Sequence, residues 1–523
     1  MDDVFETRSG AVRGFRAAED VVAVLGIPYA APPFGADRFR EPRPAPPWSG
    51  VRDGTEFGPV APQSAELPGA PTWSPGDEDV LTVNVWTPAP GGGRLPVLVW
   101  LHGGAYTFGS SAQPDFDGTV LARAGLVVVT LNYRLGFEGF GHLPADPDGT
   151  VLPDNRGLLD QIAALHWVRD NIAAFGGDPG DVTLAGQSSG ATSVVCLMAM
   201  DRARGLFRRA IAHSPVSPFH TRDIAAATTR EIAAAAGRPA TVEGLASATP
   251  QALVAASDRV VDAYRDDPGS GSRHYDPSLF APVLDGDTLP TDPLAALAAG
   301  TARDVDLLVC HTTEEYWLLD AVGSCAKLTT DAQLARFAQD FGLDEDLVDG
   351  YRSAASAPPP AADAPAADAL VADVYLALFG DLAFVEFSHR LAEAHAAAGG
   401  RTYLSRFDRR RARADGTAVR AWHCADVPFA FGNLDDDRLS FLIGGAPTPE
   451  DHVLARRMVR AWADFSATGD PGWSPMGKDA EGRTVEEGRT VRVWTPDDQP
   501  AADRRPAPPR SLWAKVDFPV RRP

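Results

Sequence analysis

The chain has 523 residues, 44% of them hydrophobic and 23% charged, with a formal net charge of −22. That length and apolar content supply a large buried core, in the proportions of a globular protein. The acidic surplus excludes sequence-independent binding to nucleic acid, which needs a basic surface to displace counterions.

The N-terminal stretch "MDDVFETRSGAVRGF" lacks the basic start and apolar run of a secretory signal. No charge-free run approaches the roughly 18 apolar residues that would span a bilayer. Cys196, Cys310, Cys325 and Cys424 are scattered without C-x-x-C spacing, so no zinc site and four reduced thiols are expected. These features together predict a cytoplasmic protein with no membrane partner.

Short strand-like pieces open the chain in "VFETRSGAVRGF", "VVAVLGIPYA" and "LTVNVWTP", and the proline-rich loop "APPFGADRFREPRPAPPW" separates the last two. From Leu95, "LPVLVWLHGGA" and "GLVVVTLNYR" are almost continuously apolar, as strands covered on both faces are. "RGLLDQIAALHWVRDNIAAFGG" places Leu158, Ile162, Leu165 and Ile172 on one helical face and ends in paired glycines, which predicts an amphipathic helix with a C-terminal stop. A strand and helix follow in "VTLAGQSSGATSVV", then further strands in "RRAIAHSPV", "VDLLVCHTT" and "RTYLSRFD". Strands alternating with helices predict an α/β protein: a mostly parallel sheet, helices on both faces, and an antiparallel N-terminal edge. Two long stretches, about 217–301 and 321–418, interrupt the rhythm. The second contains the low-complexity run "SAASAPPPAADAPAADA" from Ser353, expected as a mobile surface loop.

Gly186-Gln187-Ser188-Ser189-Gly190 has the G-x-S-x-G spacing between a strand and a helix. A turn this sharp needs small residues two positions either side of the serine, and it projects the hydroxyl beside a helix N-terminus, where a developing anion is favoured. The plain alternative is an ordinary strand-to-helix turn. A nucleophilic serine also needs a base, an acid to orient that base, and backbone N–H groups for the oxyanion. His102-Gly103-Gly104-Ala105, after a buried strand, is a candidate for the last of these, because its small residues admit a carbonyl close to the backbone.

Ordered matches now accumulate along the chain: "GIPYAAPPFGADRF", "DEDVLTVNVWTP", "VLVWLHGGAYTFGS", "LNYRLGF", "DNRGLLDQIAALHWVRDNIAAFGGDPGDVTLAGQSSG", "CHTTEEYW" and "WHCADVPFAFGN". They resemble the type-B carboxylesterases, the family within the α/β-hydrolase fold that includes bacterial para-nitrobenzyl esterases and the cholinesterases. The resemblance implies one α/β-hydrolase domain over residues 1–523, with the stretches 217–301 and 321–418 walling an active-site gorge. It implies a triad in which Ser188 is the nucleophile, Glu315 the acid and His423 the base. Glu314 is the register alternative for the acid, and Tyr316 stands where the family usually has glycine. His389 fits the chain order of the base but lies in no matching motif. The implied oxyanion donors are the N–H groups of Gly104, Ala105 and Ser189.

The same resemblance marks departures and supports. Gln187 replaces the glutamate common before the nucleophile, and Val80 stands where many relatives have a disulfide cysteine. Arg38 is expected to pair with Glu78, and Arg134 with Asp160, as buried scaffold. Ser214 is expected near the triad. Tyr106, Phe108, Trp317, Phe429 and Phe431 are candidates to line the gorge, and Cys310 and Cys424 are expected to be bystanders. The implied activity is hydrolysis of small-molecule carboxylic esters through an acyl-enzyme, without metal or organic cofactor. A non-catalytic adhesion module of the same fold, as in the neuroligins, and an amide or carbamate hydrolase using the same triad are the alternatives. Substrate preference and oligomeric state leave no mark in the sequence.

Overall fold

The apolar runs become strands because they are buried on both faces, where β-branched side chains pack well. In the computed structural model, which describes residues 3–516 and 518 apart from 66–70, 89–91, 147–148, 218, 356–366, 413–417, 478–490 and 497–509, ten of them form one sheet. In chain order these are β1 (Phe15–Ala18), β2 (Val21–Pro28), β3 (Thr82–Thr87), β4 (Leu95–Leu101), β5 (Val127–Leu131), β6 (Gly177–Gln187), β7 (Arg209–His213), β8 (Asp306–Thr312), β9 (Thr402–Phe407) and β10 (Val491–Trp494). Across the sheet they run β10-β9-β8-β7-β6-β4-β5-β3-β2-β1. The pairs β1–β2, β2–β3 and β3–β5 are antiparallel, and every other neighbour is parallel. This is the α/β-hydrolase architecture with its antiparallel N-terminal edge. The edge strand β10, a short piece near the C-terminus, has the alternating pattern Val491-Arg492-Val493-Trp494, which sequence reasoning passed over. Most of the low-complexity run after Ser353 lies outside the described residues.

Side chains alternate across the sheet into two cores. Val83, Val97, Val99, Leu101, Val127 and Val129 pack on one face; Trp86, Leu98, Trp100 and Val128 pack on the other. Helix α1 (Arg156–Asn171) covers the first face and passes through a 3-10 turn to Gly176, whose φ of 83° ends it where the paired glycines stand. Among the described residues no helix is long and apolar enough to cross a membrane.

Buried charges stabilise the loops that carry the site. Arg134 and Asp160, 1% and 0% exposed, form a two-pronged pair at 2.6 and 2.7 Å. Arg38 pairs with Glu138 at 2.6 Å rather than with the expected Glu78, which is exposed. The reason is reach: the Arg38 guanidinium also donates to the Ala246 and Ala248 carbonyls at 3.0 and 2.6 Å, so it bridges two chain segments that local sequence does not connect.

Candidate active site

Four strand ends meet at one edge of the sheet. β6 stops at Gln187, and helix α2 (Ser189–Ala199) starts two residues later. Between them Ser188 has φ 56° and ψ −125°, a conformation costing about 1–3 kcal/mol for a residue with a side chain. Its N–H donates to the His213 carbonyl at the end of β7 at 2.8 Å. The flanking glycines are required sterically: a Cβ on Gly186 would sit 2.6 Å from the Gly190 carbonyl, and one on Gly190 only 2.2 Å from the Leu101 carbonyl. Ser188 therefore caps a turn pressed between β6, β4 and its own helix.

Just past β8, Glu315 is 1% exposed and fully hydrogen-bonded. Its Oε1 accepts the Thr312 N–H at 2.7 Å and the Ser214 hydroxyl at 2.6 Å, and its Oε2 lies 2.6 Å from His423 Nδ1. The His423 N–H also donates to the Glu315 carbonyl at 3.1 Å, so ring and backbone are both tied to the acid. With Nδ1–H committed to the carboxylate, Nε2 carries the lone pair. Burial disfavours the charged ring, but neighbouring Cys424 and Glu315 outweigh it and hold the His423 pKa well above the ordinary value.

Glu314 serves a different purpose. It accepts Arg420 Nη1 at 2.8 Å and the Ala421 N–H at 3.2 Å, with Arg410 Nε at 3.4 Å, so it anchors the segment leading to His423. The rings of His389 and His311 pack 5.1 Å apart.

Gln187 meets His423 from the other side, with its Nε2 at 2.9 Å from the imidazole Nε2. Among the described residues, no hydrogen bond joins the Ser188 hydroxyl to His423. In a substrate-free site such bonds are commonly long, and they tighten when a reacting group arrives.

The loop after β4 turns back on itself through three successive positive φ angles, 114° at Gly104, 51° at Ala105 and 59° at Tyr106. The Gly104 carbonyl accepts the N–H groups of Thr107 and Phe108 at 2.8 and 3.0 Å, and the Tyr106 carbonyl accepts that of Gly136 at 2.7 Å. The carbonyls thus face into the loop, while the N–H groups of Gly104 and Ala105 find no acceptor among the described residues. The N–H of Ser189, in the first turn of α2, has no intrahelical acceptor by geometry. Gly103 brings this loop against the serine: a Cβ there would be 2.6 Å from Gln187 Oε1 and 3.0 Å from Ser188 Cβ.

The aromatic candidates divide. Phe429 and Phe431 are 1% exposed core residues, packed on Phe407 and Trp100. Tyr106 is buried against Phe140, and Trp317 lies beneath the Arg420 guanidinium. Phe108 remains half-buried. Sequence reasoning passed over the His213–Asp426 pair, 2.7 Å apart and buried, which ties the His423 segment to β7. It also passed over Phe384, whose ring lies 4.4 Å from that of His423. A lone phenylalanine inside a helix gives no local signal of such a contact. Among the described residues no cluster of side chains could hold a metal ion.

The carboxylesterase family model matches residues 1–494, and the chain belongs to that family. It is a carboxylic ester hydrolase on an α/β-hydrolase fold. It is 35% identical over 480 residues to the para-nitrobenzyl esterase of Bacillus subtilis (strain 168), covering 90% of each chain. It is equally identical over 480 residues to the fumonisin B1 esterase of Sphingopyxis macrogoltabida, covering 90% of this chain and 82% of that one. The crystal structure of carboxylesterase EST55 from Geobacillus stearothermophilus superposes with a TM-score of 0.77 at 36% identity, covering 94% of this chain and 96% of that one.

Proposed function

We propose that this enzyme cleaves carboxylic esters through a Ser188–His423–Glu315 triad and a covalent acyl-enzyme. The observation that carries the reading is the double tie between His423 and Glu315, with a strained serine in the turn whose preceding residue touches the same imidazole. When an ester enters, His423 Nε2 exchanges its Gln187 contact for the Ser188 hydroxyl and takes its proton. The Ser188 oxygen bonds to the acyl carbon, and the carbonyl electrons move onto oxygen. The N–H groups of Gly104, Ala105 and Ser189 donate to that oxyanion as an oxyanion hole. Collapse breaks the bond to the alcohol, which leaves with the proton from Nε2; water then repeats the sequence on the acyl-enzyme, releasing the acid and free Ser188. Glu315 stays ionised, fixes the tautomer and stabilises the imidazolium.

The reading includes the stretches 217–301 and 321–418 as walls of the pocket and a reducing, cytoplasmic setting, the latter supported by four cysteines that form no disulfide. The test is Ser188→Ala against p-nitrophenyl acetate. The variant is expected to lose about a thousandfold or more in turnover and the pre-steady-state burst, with an unchanged melting curve. Near-normal turnover would remove Ser188 from the mechanism.

A further inference from the structure

Two consecutive residues at the end of β7 reach the serine, the acid and the segment that carries the base. The His213 carbonyl accepts the Ser188 N–H at 2.8 Å, and the Ser214 hydroxyl donates to Glu315 Oε1 at 2.6 Å. The third link runs through the His213 ring, whose Nδ1 lies 2.7 Å from Asp426 Oδ2, just past His423 in the chain. Ser214 has φ 49°, and its N–H donates to the Cys310 carbonyl of β8 at 2.7 Å, so the pair is itself fixed between two strands.

The turn that Asp426 belongs to is strained. Cys424, between His423 and helix α3 (Val427–Phe431), has φ 68°. Around it the Ala425 N–H donates to the Trp422 carbonyl and the Val427 N–H to the Cys424 carbonyl, each at 3.1 Å. Among the described residues, His213 supplies the only hydrogen bond to the Asp426 carboxylate, whose Oδ1 is buried without a partner. The other side of the His213 ring fixes its tautomer. The Trp462 indole N–H, from helix α4 (Pro449–Thr468), donates to Nε2 at 2.9 Å. An indole N–H only donates, so Nε2 carries the lone pair and Nδ1 the hydrogen that Asp426 accepts. His213 and Asp426 are 0% and 1% exposed, so this charge-assisted bond is not exchanged for water.

We infer that His213 is a positioning residue for the reaction, which through Asp426 holds the strained turn after His423 and so keeps the imidazole in register with Glu315 and the serine turn. The inference rests on the Ser188–His423–Glu315 reading. Glu315 grips His423 from the β8 side, at Nδ1 and at the backbone N–H. Asp426 grips the following turn from the β7 side, through the same residue whose carbonyl holds the Ser188 N–H. Serine and base are thereby placed from one point, and a shift of about 1 Å between reacting groups can cost about a hundredfold in rate. His213 touches no reacting atom, and no bond forms or breaks on it.

The experiment compares His213→Gln with His213→Asn in the full chain, because the longer amide reaches the place of Nε2 and the shorter one the place of Nδ1. His213→Gln keeps an acceptor for Trp462 but loses the Asp426 bond. It is expected to lose about thirtyfold in kcat for p-nitrophenyl acetate, per folded molecule, with KM changed less than about twofold. Its acidic limb of kcat/KM is expected to move down toward the ordinary imidazole value, because a ring that slips from Glu315 loses an anion that favours its charged form. His213→Asn restores a donor for Asp426 and is expected to recover kcat to within about threefold of the parent and to return the limb. Loss of stability alone moves neither the limb nor kcat per folded molecule. Should His213→Gln fail to fold, Trp462→Phe releases the tautomer alone and is expected to show the same shifts at smaller size. An unchanged kcat and limb in the folded variant, or equal losses in His213→Gln and His213→Asn, overturns the inference. Full activity in Ser188→Ala is a separate outcome that defeats the triad reading and the inference with it. An inactive Ser188→Ala beside an unaffected His213→Gln removes the inference alone.

Discussion

Gln187 Nε2 lies 2.9 Å from His423 Nε2, the ring atom left free by the bond to Glu315. The amide N–H at this point donates to the lone pair of the neutral ring, whereas a carboxylate would favour the charged imidazole. Cys424 and Glu315, both beside the ring, favour its charged form and outweigh the burial that opposes it. In the proposed triad the neutral imidazole is the base, so activity falls as pH drops through its raised pKa, and the acidic limb of kcat/KM is expected above the ordinary imidazole range. Gln187→Glu adds a second anion that stabilises the charged ring, and it is expected to move that limb to still higher pH. A limb that does not move would place the Gln187 side chain away from the working imidazole.

The two adjacent glutamates separate chemistry from scaffold. Glu315→Gln leaves a ring partner that no longer enforces the tautomer, and kcat per folded molecule is expected to fall about a thousandfold or more. Glu314→Gln strips a carboxylate from Arg420 and Arg410 in a buried setting. That change is expected to cost about 3 kcal/mol in urea unfolding, while turnover per folded molecule stays within a few-fold of the parent. The opposite pattern would exchange their roles.

Gly190→Ala tests the packing of the serine turn. Its Cβ would meet the Leu101 and His102 carbonyls at 2.2 and 2.6 Å, both of them backbone atoms that cannot swing aside. The expected outcome is loss of soluble protein, or a stability loss above about 3 kcal/mol by denaturant titration. A well-folded, active Gly190→Ala enzyme would show that β4 and α2 are further apart than described.

Acid should unfold the protein partly through two buried histidines. Burial lowers the pKa of His102 and of His311 to about 4, in each case against a backbone carbonyl contact that raises it. Both are neutral in the fold and gain protons more readily when unfolded. Their stabilisation is therefore complete above the unfolded value and is lost as pH falls from about 6.5 through 4, worth up to roughly 3 kcal/mol each. Unfolding free energy measured against pH should fall across this window, and His311→Gln should flatten the slope. An identical slope in that variant would assign the acid sensitivity to other groups.

Patterns that depend on neighbouring residues are readable in the sequence. The runs at Leu95–Leu101 and Val127–Leu131 announce strands because both faces of each are covered, which leaves no polar alternation. Gly186 and Gly190 announce the sharp turn because only a missing Cβ fits there. Patterns that depend on what arrives from elsewhere misled or stayed silent. Arg38 met Glu138 instead of Glu78, and Phe429 and Phe431, near His423 in sequence, turned into core.

The sequence by itself determined the α/β alternation and the serine turn, because each is written in local spacing and side-chain size, whereas the order of Ser188, Glu315 and His423 as a triad is what the family resemblance implies. Only the tertiary structure decided that Glu315 faces His423 while its neighbour Glu314 binds Arg420. It alone set Gln187 at the imidazole and Phe384 against the same ring. Adjacent residues past a strand end point in different directions, and partners separated by a hundred residues or more meet only when burial of the whole sheet fixes where each loop can run.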